Sequence, residues 1–179
     1  MTTNLLNNQQ AISLQINQYF AADDTDSAEK LLLSSIKKYP NEHLFFAQLS
    51  VVNYELGNDK NAIEYAKKSL EITPSCQLAQ NYYAVALQAT DKDTEAIKIW
   101  LSLLNRSIKD LAFNDCGEGV RNAKSLQNDI RFNLGVSYSA LENSEKAKFY
   151  FNEHLKNRKQ GQFSNFTRKD VAEYIEELS

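Results

Sequence analysis

Alanine returns every 34 residues in this chain, at Ala28, Ala62 and Ala96, each time just inside the start of a helical pattern of apolar residues. The two prolines, Pro40 and Pro74, keep the same step. A period of this size built from helices is the mark of like units stacked in series, each covering the apolar face of the next, and not of a globular enzyme. The clearest unit is His43 to Pro74, HLFFAQLSVVNYELGNDKNAIEYAKKSLEITP. Leu44, Phe45, Leu49, Val52 and Leu56 recur there at helical spacing, and Gly57 stands where a helix would end in the left-handed conformation. Asp59 offers an N-cap to a second helix carried by Ala62, Ile63, Ala66 and Leu70, which Pro74 ends. One unit is therefore a helical hairpin.

Counted from His43, this unit has a large residue fourth (Phe46), leucine seventh (Leu49), a small residue eighth (Ser50) and glycine fifteenth (Gly57). Alanine is twentieth (Ala62), a small residue twenty-seventh (Ser69) and proline thirty-second (Pro74). On these residues the stretch resembles the tetratricopeptide repeat, a 34-residue helix pair. It departs at the eleventh place, where the family has an aromatic and this chain has Asn53. Small residues belong where the two helices approach closely, because a larger side chain would overpack them. Looser copies cover residues 9–42 (Tyr19, Ala28, Leu32, Pro40) and 77–110 (Ala84, Leu87, Ala96, Trp100). A strong one covers 128–161, with Leu134, Gly135, Tyr138, Ala147 and Phe151.

The step then fails. A fourth copy on strict period would start at residue 111, and it starts at 128, so 17 residues are inserted. Ile97, Trp100, Leu101, Leu104, Ile108 and Leu111 keep one helical stripe going, and Val120, Ala123, Leu126 and Ile130 do so ahead of the fourth copy. The periodicity predicts two helices lengthened by about two turns each, meeting in a loop near 114–119, so that the insertion 111–127 forms an extended helical hairpin projecting from an edge. After Gly161, Thr167 and Asp170 make a capping-box-like pattern before a final helix over 168–178, which would cover the last repeat.

The resemblance implies an all-α fold: a right-handed superhelical solenoid of antiparallel helix pairs with a C-terminal capping helix, forming a single domain over 9–178. It also implies which side chains face the concave groove. These are Asn17 and Phe20 in the first copy, and Leu44, Ala47, Val51 and Tyr54 in the second. Asn81, Val85 and Gln88 follow in the third, and Phe132 and Val136 in the fourth, with Ser13, Leu78, Asp129 and Ser139 at the remaining inward positions. The groove's middle is apolar with amides at its rim, which suits a partner peptide or helix. The lysine, asparagine and arginine clamp that some family members use for a terminal carboxylate is not expected, since Gln77–Thr90 contains no charged residue. Occupation of the groove by the chain's own first residues or its C-terminal helix stays open.

Composition adds exclusions. A net charge of -3 gives no general attraction to nucleic acid or anionic membranes. A local basic cluster between 143 and 170, including Lys156, Arg158 and Lys159, reads as a solvated face. No apolar run reaches the roughly 18 residues that span a bilayer, and the first residues lack a secretory pattern, so the expected location is cytoplasmic. Cys76 and Cys116 have no metal-ligand spacing, and His43 and His154 lie in different repeats without a nucleophile or metal motif. No catalytic residue, cofactor or metal is expected. The reading is a non-catalytic protein-binding module, an adaptor or assembly factor, with self-association left open. The alternatives are a secretion-type chaperone of this family, a regulatory subunit acting through the 107–127 hairpin, and an enzyme using Cys116. That thiol precedes a helix starting near Gly119, whose dipole would lower its pKa.

Overall fold

The computed structural model describes residues 2–114 and 116–178, with side chains from residue 10 onward; Asp115, inside the expected hairpin loop, lies outside the described residues. Among the described residues all regular structure is helical: α1 (Thr2–Ala21), α2 (Thr25–Lys38), α3 (His43–Glu55), α4 (Asp59–Ile72), α5 (Gln77–Gln88), α6 (Asp93–Leu104), α7 (Ile108–Phe113), α8 (Gly119–Ala140), α9 (Ser144–Lys159) and α10 (Arg168–Glu177). The chain divides into two compact units, Met1–Ser75 and Cys76–Ser179, where the periodicity suggests one continuous domain. Each unit has a separate apolar cluster. Ile16, Ala28, Leu32, Phe45, Leu49 and Val52 build the first. Trp100, Leu103, Leu111, Ile130, Leu134 and Phe151 are central to the second.

The turn inside each pair is made the same way four times. Asp23, Gly57, Asp91 and Glu142 all take positive φ, at 55°, 72°, 58° and 57°. In each case the next residue's N–H returns to a carbonyl five residues back: Asp24 to Tyr19 at 2.9 Å, Asn58 to Asn53 at 2.7 Å, Lys92 to Leu87 at 3.0 Å and Asn143 to Tyr138 at 2.8 Å. This closure satisfies carbonyls that the helix end would leave orphaned. Glycine meets its steric demand without a Cβ; aspartate tolerates it better than most residues, and glutamate at 142 is the least suited of the four. The alanines of the 34-residue step, together with Ala147, are fully buried where the paired helices touch.

The insertion departs from the expected hairpin on one side. α8 is lengthened, 22 residues from Gly119 onward. α6, however, stops at Leu104, and the stripe through Ile108 and Leu111 belongs to a separate short helix, α7. Local polar chemistry makes the break. The Ser107 hydroxyl accepts from the Asp110 N–H at 3.1 Å, capping a new helix, and Arg106 pairs with Asp110. A serine that satisfies backbone donors at a helix start competes directly with helix continuation. Leu111, Ala112 and Ala123 are buried with Trp100 in the second unit's core, so the inserted segment is packed down where a projecting hairpin was expected. Gln77 holds it there: its Nε2 donates to the carbonyls of Leu111 (3.2 Å) and Cys116 (2.6 Å).

Candidate functional site

The first unit carries an open cleft of about 480 Å³ lined by Gln10, Ser13, Leu14 and Asn17 of α1 and by Leu44 and Phe45 at the start of α3, with Glu42 at its edge. Asn17 and Leu44, two of the residues assigned inward positions, are brought together here. Leu14, which that assignment omits, is 65% exposed on the same wall. Its signal lay in the sequence as an apolar residue beside Ser13, one place off the face taken as inward. A leucine that exposed forfeits about 1–2 kcal/mol of burial, which a covering apolar surface would recover. Farther along α3, Val51 is half-buried and Tyr54 is 43% exposed. Ala47 is buried, and Phe20 packs partly against the unit's core. Asn53, in the place of the family's aromatic, is buried and donates from Nδ2 to the Leu49 carbonyl at 3.0 Å and to Glu29 Oε1 at 3.3 Å.

In the second unit the corresponding residues are engaged by the chain itself. Asn81 Oδ1 accepts from Trp100 Nε1 at 2.9 Å, which satisfies the indole of the largest core side chain. Gln88 Nε2 donates to the Asn133 carbonyl (3.2 Å) and to Ser137 Oγ (2.8 Å), while that hydroxyl donates to Asp93 Oδ1 at 2.5 Å. These bonds tie α5 and α6 to α8. Val85 and Val136 are half-buried against the core.

Phe132 is only 5% exposed. The C-terminal segment covers it: Phe166 stacks on its ring at 3.9 Å and 13°, and Tyr174 meets it edge-on at 5.7 Å. Polar bonds anchor that segment. Asp129 accepts from Ser164 Oγ (2.5 Å), the Asn165 N–H (3.0 Å) and Asn165 Nδ2 (2.8 Å). Arg158 donates to the carbonyls of Ser164 and Phe166 at 2.9 and 2.8 Å. Burial raises the Asp129 pKa above its ordinary value, and the hydrogen bonds from Ser164 and Asn165 work against that rise. His154, fully buried beneath, has its pKa lowered by burial. Its Nδ1 lies 2.9 Å from the Asn128 carbonyl, which assigns the proton to Nδ1 in the neutral ring. Asp129 could be assigned an inward position from sequence, but its partners sit 35 and 36 residues downstream in a polar stretch without periodicity. Cys116 is buried three residues before α8. Among the described residues no helix is long and apolar enough to cross a membrane.

A family model described as the tetratricopeptide repeat matches residues 45–76 and 129–160, the α3/α4 and α8/α9 pairs. Among solved structures, MamA 41-end from Desulfovibrio magneticus RS-1 is similar at 14% identity, over 94% of this chain and 92% of that one, with a TM-score of 0.58. TTC0263, a thermophilic TPR protein in Thermus thermophilus, is similar at 15% identity over 94% and 97%, with a TM-score of 0.52. Such low identities show a shared all-α repeat fold and nothing finer. No curated protein matches the chain in sequence.

Proposed function

We propose that this chain, two of whose helix pairs match the tetratricopeptide repeat, is a non-catalytic protein-binding module, an adaptor or assembly factor. The observation that carries the reading is the open apolar wall of the first unit, with Leu14 exposed beside Asn17 and Leu44. A helix or extended apolar segment of a partner would bury Leu14 and Leu44 and find hydrogen bonds from Asn17 and Ser13 at the rim. Val51 and Tyr54 extend the same proposed surface along α3. Phe132 takes no direct part, because Phe166 and Tyr174 already lie against its ring.

A second reading rests on the insertion. Phe113, the last residue of α7, is 69% exposed, and Val120 at the start of α8 is also exposed. Together they offer a small apolar contact for a regulatory-subunit role.

The test places a photo-crosslinking residue at position 14, 54, 113 or 149, in the native cell. Phe149 is an exposed aromatic outside both surfaces and serves as the control. The reading expects one protein partner to be trapped from positions 14 and 54 only, and Leu14→Asp to abolish its capture at 54. Trapping from 113 alone would move the function to the insertion. Equal trapping from 149 would remove both readings.

A further inference from the structure

We propose that Cys76 and Cys116 form a reversible disulfide that clamps the inserted segment to the start of α5. The two residues are 40 positions apart in sequence, yet their Sγ atoms lie within 4.8 Å of each other and both side chains are buried. The placement is built rather than incidental. Cys76 is the N-cap residue of α5, and its neighbour Gln77 donates to the Cys116 carbonyl at 2.6 Å. Gln77 Oε1 accepts from Asn114 Nδ2 at 2.8 Å, and Asn114 Oδ1 in turn accepts the Cys116 N–H at 2.8 Å. Gly117 follows with no room for a side chain: a Cβ there would sit 2.4 Å from the Ala112 carbonyl oxygen. Asn114, the Cys116 peptide groups and Gly117 are therefore held in place while the Cys116 thiol lies close to that of Cys76. A disulfide needs sulfurs about 2.05 Å apart, and a change of χ1 rotamer moves a sulfur by roughly the remaining distance without moving the backbone far.

The oxidant is a small peroxide, which suits a site closed to larger reagents. The Cys116 thiolate attacks one peroxide oxygen; the O–O bond breaks, a sulfenic acid forms and the departing hydroxide takes a proton to become water. The Cys76 thiolate then attacks the Cys116 sulfur, the S–O bond breaks and a second water leaves. Two thiols and one hydrogen peroxide give one disulfide and two waters; the sulfurs lose two electrons and the peroxide gains them. The product closes a loop containing α5, α6 and α7 and restricts the unfolded chain, so the second unit gains stability when oxidised.

The 179-residue chain is treated with hydrogen peroxide and digested without reductant. The expected result is a peptide pair linked through Cys76 and Cys116, with two thiols per chain lost and recovered on adding dithiothreitol. The unfolding temperature of the oxidised protein is expected to rise by roughly 10 °C. Cys76→Ser and Cys116→Ser, each checked for native helicity, should form no internal link and show no rise. Gln77→Leu should slow linking several-fold while leaving both thiols in place. Oxidation of Cys116 to sulfinic acid with Cys76 still reduced would overturn the proposal. So would links only between separate chains, or thiols that resist peroxide because a chelator-removable metal ion holds them.

Discussion

The α3/α4 and α8/α9 pairs match the same repeat and differ in what covers them. In α8/α9 the small eighth residue is Gly135, and a Cβ there would lie 2.5 Å from the buried ring of Phe151. The aromatic eleventh residue, Tyr138, is buried and stacks on Tyr150 at 5.5 Å with the rings 2° from parallel. The fifth residue, Phe132, disappears beneath Phe166 and Tyr174. In α3/α4 the same three places hold Ser50, Asn53 and Ala47, and the residue after Asn53, Tyr54, stays in solvent. One pair uses its aromatic residues to close itself. The other keeps an exposed aromatic on the helix that borders an open cleft. A shared repeat thus sets the hairpin, and the residues at a few facing positions decide whether the chain itself covers it or leaves it open.

The contrast can be broken most directly at Phe132. Phe132→Ala should destabilise the second unit by about 3–4 kcal/mol, through lost burial and the cavity left under Phe166. Tyr54→Ala should stay within about 0.5 kcal/mol, as befits an exposed side chain. Chemical denaturation of both variants checks this, and equal losses would erase the distinction between the pairs.

Next comes the close helix approach. Gly135→Ala forces its methyl into Phe151 and should cost about 1–3 kcal/mol of packing, only partly offset by the roughly 1 kcal/mol helix preference of alanine. Ser50→Ala, at the equivalent place, should be nearly neutral. A stabilised Gly135→Ala would mean that Phe151 can retreat and that the pair is less tightly closed than its geometry indicates.

The repeated left-handed turn separates the pairs less. Gly57→Ala should destabilise by about 1 kcal/mol, since φ is 72° with open space around the missing Cβ. Glu142→Gly, at the matching place in the fourth pair, should stabilise by roughly 0.5–1 kcal/mol. Thermal unfolding reads the opposite signs.

The smallest effect is in pH. His154 is buried and neutral with its pKa lowered, so the unfolded chain binds the extra proton first. Its contribution is complete above the ordinary value of 6.5 and is lost as pH falls below it. Asp129 works the other way: its raised pKa makes the ionised form the costly one, and that penalty is relieved as pH falls toward the ordinary carboxylate range. Between pH 7 and 5, amide protection factors in α8 and α10, which correct for the slower intrinsic exchange at lower pH, should fall in the native protein, and His154→Gln should flatten that response. A fall confined to α3 would contradict it.

Much of this architecture is legible in the residue pattern alone. The 34-residue step places the helix pairs, and the glycine at 57 reveals a turn that Asp23, Asp91 and Glu142 adopt without glycine's help. Those three are not legible, because a left-handed residue can be held by the closing hydrogen bond even where its own preference is weak. The end of α6 is hidden for a related reason. The apolar stripe runs on through Leu111, and only the serine cap at Ser107 interrupts the backbone beneath it. The cleft is half legible: Asn17 and Leu44 follow from repeat position, whereas Leu14 does not.

Sequence determined the repeat, the hairpin of each unit and the small residues at the close contacts, because these depend on spacing within some thirty residues. What covers each pair was left to tertiary structure. The ring of Phe166 on Phe132, the bonds of Asn165 to Asp129 and the meeting of Cys76 with Cys116 all join residues more than thirty positions apart. No periodicity links such residues; they meet because apolar faces must be covered and buried polar groups must find partners wherever the chain can supply them.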